Sequence, residues 1–383
     1  MFLETVKSRN PALIDASLYL RKKNLILPDT YLLDLDTIIE NTQNLVQEAQ
    51  NNRIELFYMT KQFGRNPLIA KKISQSGIAD AVAVDYKEAL LLKSHNLSIG
   101  NIGHLVQVPL SLLEEFIVYG VKFITVYSIE QLQKIDAVCQ KYNKQQKVLI
   151  KVIEYKDIIY VGQKGGFTLD ELAKLKAYHQ SLHVIIAGIT AFPCFLYNGE
   201  SKLEPTENIN TLSLAKLILN DIGFYNLEVN MPSATSCNTI PMIKFLGGTQ
   251  GEPGHALTGT TPLHAKKSLV EKPALVYLTE ISHNFDHKSF IFGGGYYSRG
   301  HFKNVSIYQG DRWIDDDQIE PFDNENIDYY LALSKSHPIG NSVVASFRTQ
   351  IFVTRSDVAV VSGIQNGEVK LEGIFDSLGQ QKG

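Results

Sequence analysis

A chain of 383 residues, 44% hydrophobic and 20% charged, has the length and composition of an ordinary globular protein with two domains. Its formal net charge of −3, with no basic run, argues against a nucleic-acid partner, and three scattered cysteines (Cys139, Cys194, Cys237) provide neither a disulfide framework nor a zinc site. No apolar run reaches membrane-spanning length and the first residues carry charges instead of an apolar leader, so a cytoplasmic protein with no membrane partner is expected.

Residues 1–28 place Leu13, Ile14, Leu18 and Leu20 at helical spacing and end at Pro28, which predicts an N-terminal helical extension. A strand follows at 30–36, then a helix with Ile38, Ile39, Leu45, Val46 and Ala49 on one face. From Glu55 strand-like runs recur at 55–61, 79–85, 99–106, 121–127, 147–154, 183–192, 225–232 and 242–249. Amphipathic stretches separate most of them, including 66–76, 86–94, 109–119, 128–142, 168–180 and 207–222. Eight such alternations predict an α/β fold, a (β/α)8 TIM-type barrel over 29–270. The strand at 30–36 lies outside that count and is free to pair with the last domain.

After residue 270 strands continue without helices of barrel length, which predicts a mostly β C-terminal domain over 271–383. Within it, 342–354 reads as one long apolar strand that contains Arg348. An arginine in such a strand implies a carboxylate partner, either the protein's own or a substrate's.

The stretch Glu55-Leu-Phe-Tyr-Met-Thr-Lys61 puts an amine at the end of a buried strand. Alone it reads as an ordinary strand-end lysine that reaches solvent. Held in the interior, its pKa would fall and it could form a Schiff base. Pro232-Ser233-Ala-Thr235-Ser236 ends the seventh run with hydroxyls and free amides, either an anion site or a plain helix cap. Glu252, set between Gly251 and Pro253-Gly254-His255, is either a rigidly placed carboxylate or a solvated loop residue. Gly293-Gly-Gly-Tyr296-Tyr297 lacks dinucleotide-binding spacing. The histidines show no metal-ligand spacing, so no metal is expected.

Together these residues resemble the alanine-racemase superfamily of pyridoxal-phosphate enzymes (fold type III), closest to its YhfX-type branch. The likeness runs over roughly 29–300. Tyr58-Met-Thr-Lys61 resembles the first barrel strand with its Schiff-base lysine, and Ala83-Val-Asp85-Tyr-Lys-Glu88 the second strand. Gly162-Gln163-Lys-Gly165-Gly166-Phe167 resembles the loop after the fifth, Gly188-Ile-Thr-Ala-Phe192-Pro the sixth, and Glu252-Pro-Gly254 the eighth.

The resemblance implies pyridoxal 5'-phosphate on Lys61, its phosphate on Ser233, Thr235, Ser236 and the amides of Gly254 and His255, and Phe192 stacked on its ring. Four positions depart from the racemase pattern or a neighbouring one. Glu252 stands where racemases carry arginine, as in the ornithine-decarboxylase branch, and favours a protonated pyridine nitrogen. Phe192 replaces a ring-stacking histidine, Gln163 an arginine near the phenolic oxygen, and His255 a decarboxylase arginine. Nothing near Arg348 matches the His-x-Cys metal pair of D-threonine aldolases. Tyr296 and Tyr297 are the candidates for a second catalytic residue, Arg348 for the substrate anion. The implied function is an amino-acid racemase-like enzyme, a homodimer acting on a small amino-acid-like substrate. A decarboxylase or lyase, and a non-catalytic cofactor-binding protein, are the alternatives.

Overall fold

Between residues 55 and 251 a parallel ladder of eight strands closes on itself. Its strands are β1 (Glu55–Met59), β2 (Asp80–Ala83), β3 (Ile99–Ile102), β4 (Phe123–Val126), β5 (Gln146–Lys151), β6 (Val184–Thr190), β7 (Glu228–Asn230) and β8 (Gln250–Gly251). The computed structural model describes residues 2–200, 202–323 and 325–382. Its contacts divide the chain into two compact units, 43–60 with 70–254, and 1–42 with 61–69 and 255–383. The barrel lies wholly in the first.

Period-two alternation turns Phe57, Met59, Val82, Val84, Phe123 and Leu149 into one buried cluster that fills the barrel. Helices such as Ile129–Tyr142 and Asn208–Asp221 follow the strands. Asp85 caps the helix Tyr86–Ser94 by accepting the Glu88 N–H. The expected helix at 168–180 is instead a 3-10 stretch, Leu169–Tyr178, opened by a capping box of Thr168 and Glu171. The eighth strand is not at 242–249. Those residues contribute to the helix Ile240–Phe245, which buries Ile240 and Ile243 at i, i+3 spacing with Pro241 in its first turn. Strand pairing resumes for only two residues, Gln250–Gly251, against Glu55 and Leu56.

The second unit is built on a ten-stranded sheet. Thr30–Asp34 runs through its middle, antiparallel to Leu275–Phe285 and parallel to Asp357–Ser362. The helices Leu3–Arg9 and Pro11–Lys22 place Leu3, Val6, Leu13 and Leu20 against Leu32, Val276, Leu278, Val344 and Val361 of that sheet. The expected strand at 342–354 stops at Ala345. Phe347 turns into the core and stacks on Phe302 at 4.0 Å, and Ile351–Val353 is a 3-10 turn, so Arg348 is not a strand residue. Among the described residues, no helix is long and apolar enough to cross a membrane.

Candidate active site

Ring closure brings side chains far apart in sequence together inside the barrel. Glu252, 2% exposed, follows β8 and accepts from Asn230 Nδ2 at 3.1 Å and Asn101 Nδ2 at 3.4 Å through Oε1. Thr190 and Thr125 donate to the Asn230 and Asn101 amide oxygens at 2.8 Å each, which turns both NH2 groups onto the carboxylate. The carboxylate is therefore held by two amides that are themselves held. Asn101, Thr125, Thr190 and Asn230 escaped sequence reading. Their one signal is polarity inside short apolar strands.

The 232–239 turn belongs to the same unit. Ser233 (φ 85°) and Ala234 (φ 50°) are consecutive left-handed residues, a costly backbone that turns successive amides to one side. The Ser233 hydroxyl accepts from Phe195 N at 2.9 Å and donates to Phe195 O at 2.8 Å, so it braces the loop after β6. Thr235 Oγ1 accepts the Glu252 N–H at 2.9 Å, tying this turn to the carboxylate. Ser236 N donates to Thr239 Oγ1 at 2.8 Å. The helix that follows has only six residues, so any anion here must be met by the turn's amides and hydroxyls.

Lys61 lies two residues past β1, at the start of the 3-10 turn Lys61–Phe63, and is 9% exposed. Its predecessor Thr60 donates to the fully buried Glu88, which also accepts the Val84 N–H at 2.7 Å. Met59 N donates to Pro253 O at 2.9 Å, so the chain entering Lys61 and the chain leaving Glu252 are joined through barrel residues.

In the second unit, which also holds Lys61, Arg348 Nε donates to His255 Nε2 at 3.2 Å. The His255 ring proton therefore sits on Nδ1, facing Thr260 Oγ1 at 3.4 Å. Burial, then the nearby charges of Arg348 and Lys61, hold this imidazole well below its ordinary pKa and keep it neutral. Tyr296 and Tyr297 line a cavity of about 460 Å³ with Phe322, Asp328 and Arg355. Asp328 holds the glycine-rich turn there by accepting from Gly294 N at 3.0 Å and Tyr296 N at 3.1 Å.

Along the barrel rim, Phe192 is half-buried between His104 (5.5 Å, edge-on) and Tyr160 (5.5 Å). Lys151 ends β5 and is 4% exposed. Its amine donates to Tyr127 Oη at 3.1 Å and Gln163 O at 3.4 Å, and lies 4.3 Å from the Tyr127 ring centre. Burial lowers its pKa to about 8. Sequence reading passed over Lys151, although a lysine closing an apolar strand carries the signal that singled out Lys61.

Residues 33–262 match the alanine racemase N-terminal domain family, and residues 276–371 match the YhfX-like C-terminal domain. The chain is 42% identical over 386 residues to the uncharacterized protein YhfX of Escherichia coli, with 100% of each chain covered. It also resembles solved structures at low identity. An alanine racemase of Clostridium difficile in complex with cycloserine superposes with a TM-score of 0.67 at 15% identity, covering 92% of this chain and 99% of that one. A D-threonine aldolase from Filomicrobium marinum gives 0.64 at 13%, covering 91% and 95%. A D-threo-3-hydroxyaspartate dehydratase from Delftia gives 0.64 at 15%, covering 90% and 96%. The chain thus belongs to the alanine racemase N-terminal domain family, in the branch that joins this barrel to a YhfX-like C-terminal domain.

Proposed function

We propose that the protein is a pyridoxal 5'-phosphate enzyme acting at Cα of an amino acid, most simply as a racemase. The observation that carries this is the buried Glu252 carboxylate, fixed by Asn101 and Asn230 beside the strand that leads to Lys61. The donor set suits the cofactor. Lys61 is a buried amine able to anchor it, and Glu252 is a fixed carboxylate for its pyridine nitrogen. Thr235, Ser236 and the amides around Ser233, Gly254 and His255 suit its phosphate, Phe192 its ring face, and Gln163 its phenolic oxygen. Bound there, pyridoxal phosphate supplies an electron sink for charge developing at Cα.

Lys61 is the base that takes and returns the Cα proton. Tyr296 or Tyr297 is assigned as the second proton carrier, and Arg348, steadied by neutral His255, as the guanidinium for the substrate's α-carboxylate. A homodimer in the cytoplasm acting on a small amino-acid-like molecule completes the proposal. Glu252 also favours a second reading, decarboxylation or lyase chemistry, because a carboxylate keeps the ring nitrogen protonated and the sink strong.

Protein purified with pyridoxal phosphate should show a visible absorbance band that borohydride bleaches and that Lys61→Ala lacks; a colourless wild-type chain refutes the assignment. Incubation with L- and D-amino acids in D2O then separates the chemistries. Deuterium at Cα with inversion supports racemisation, and CO2 release or side-chain cleavage supports the second reading. A loaded protein silent across the panel overturns the catalytic proposal in favour of a binding role.

A further inference from the structure

Burial penalises a cation unless an anion offsets it, and among the described residues no carboxylate is paired with Lys151 in the barrel. Among the described residues, its partners are the Tyr127 hydroxyl and ring and the Gln163 carbonyl, all neutral. Its depressed pKa is due to burial alone, with no carboxylate offsetting it. At about 8, the group is still mainly an ammonium at neutral pH.

Its position is set by the ladder. Lys151 pairs with Thr190 on β6, and Thr190 pairs with Asn230 on β7. Asn230 is the residue that holds Glu252, so Lys151 stands in the same interior layer, two strands away. The residue whose carbonyl accepts from Lys151 also has its side-chain oxygen buried with no hydrogen-bond partner among the described residues. An interior ammonium whose described partners are all neutral fits the carboxylate of a ligand.

We propose that Lys151 binds a second acid group of the substrate, so that the site takes an amino dicarboxylic acid and not a neutral amino acid. This rests on the cofactor and α-carboxylate assignments above and names their substrate class. The Tyr127 ring supports the amine from one face and leaves its remaining protons for the ligand.

The test uses the loaded protein, with aspartate, glutamate and alanine of both configurations titrated by visible absorbance and by calorimetry. Wild type should bind an acidic amino acid about tenfold or more tightly than alanine, the range of a charge-assisted hydrogen bond. Lys151→Met should remove that preference while leaving alanine binding and cofactor loading as they were. Lys151→Arg should keep part of it, which separates charge from packing. Equal binding of acidic and neutral amino acids by wild type overturns the inference, as does a preference that survives in Lys151→Met. Weakened cofactor loading in Lys151→Met, with alanine affected like aspartate, also overturns it and assigns the amine to the cofactor. A chain that takes up no cofactor is recognised before any titration and refutes the underlying assignment instead.

Discussion

Two buried charged side chains of the barrel, the acidic Glu252 and the basic Lys151, are each met by neutral polar groups. Glu252 accepts from two oriented amides, and Lys151, among the described residues, donates to a hydroxyl and a carbonyl. Glu252→Gln keeps the volume and exchanges a carboxylate for an amide. Under the proposed function it should leave the protein folded and able to take up pyridoxal phosphate, yet slow turnover by about two orders of magnitude; an unchanged kcat would remove Glu252 from the proposed chemistry. Lys151 carries a stability consequence as well. Its pKa falls from 10.5 unfolded to about 8 folded. Between those values the unfolded chain holds a proton that the native one lacks, so stability rises with pH across that window. Below pH 8 the full penalty remains. Lys151→Met should therefore gain up to about 3 kcal/mol at pH 7 and flatten the profile above pH 8. Denaturant unfolding at pH 7 and pH 10 checks this, and a less stable variant at pH 7 would contradict it.

At the scale of elements, the seventh and eighth strands hold the site by close approach. A Cβ added at Gly251 would lie 2.9 Å from Thr235 Cγ2 and 3.2 Å from Ile243 Cδ1. Gly251→Ala should push Thr235 off the Glu252 amide and cost about 1–3 kcal/mol. The loss should appear in the unfolding midpoint and, under the proposed function, in weaker retention of pyridoxal phosphate on dialysis. Normal midpoint and retention together would show that the contact relaxes freely. These elements also mark where sequence reading fails. The eighth strand is two residues long and preceded by an apolar run that buries equally well as helix or strand. The strand expected through Arg348 ends early because Phe347 finds a better place against Phe302. Both outcomes come from tertiary contacts that a local pattern does not contain.

For the molecule as a whole, the architecture was legible because strand–helix alternation and its loss after residue 270 are properties of long stretches. The polar network was not, since Asn101 and Glu252 meet across 151 residues of chain. The strand Thr30–Asp34 belongs to the same sheet as residues from 275 onward, and the helical lead packs against that sheet. Removing residues 1–34 takes out a strand that is hydrogen-bonded on both sides. Such a truncation should destroy the β unit, with the C-terminal segment becoming protease-sensitive and aggregating through its exposed edges. Protease-resistant folding of the truncated chain would show that the flanking strands can pair without it.

That central strand also sets a schedule for synthesis. Thr30–Asp34 leaves the ribosome early, but its antiparallel partner at Leu275–Phe285 emerges about 240 residues later. At roughly 5–20 residues per second, the wait is about 12–50 seconds, during which a strand that is fully buried in the folded protein stays unpaired. In the folded protein the two helices translated just ahead of it pack Leu13, Ile14 and Leu20 in one cluster with Leu32, which makes them the first native apolar partners available to the strand during synthesis.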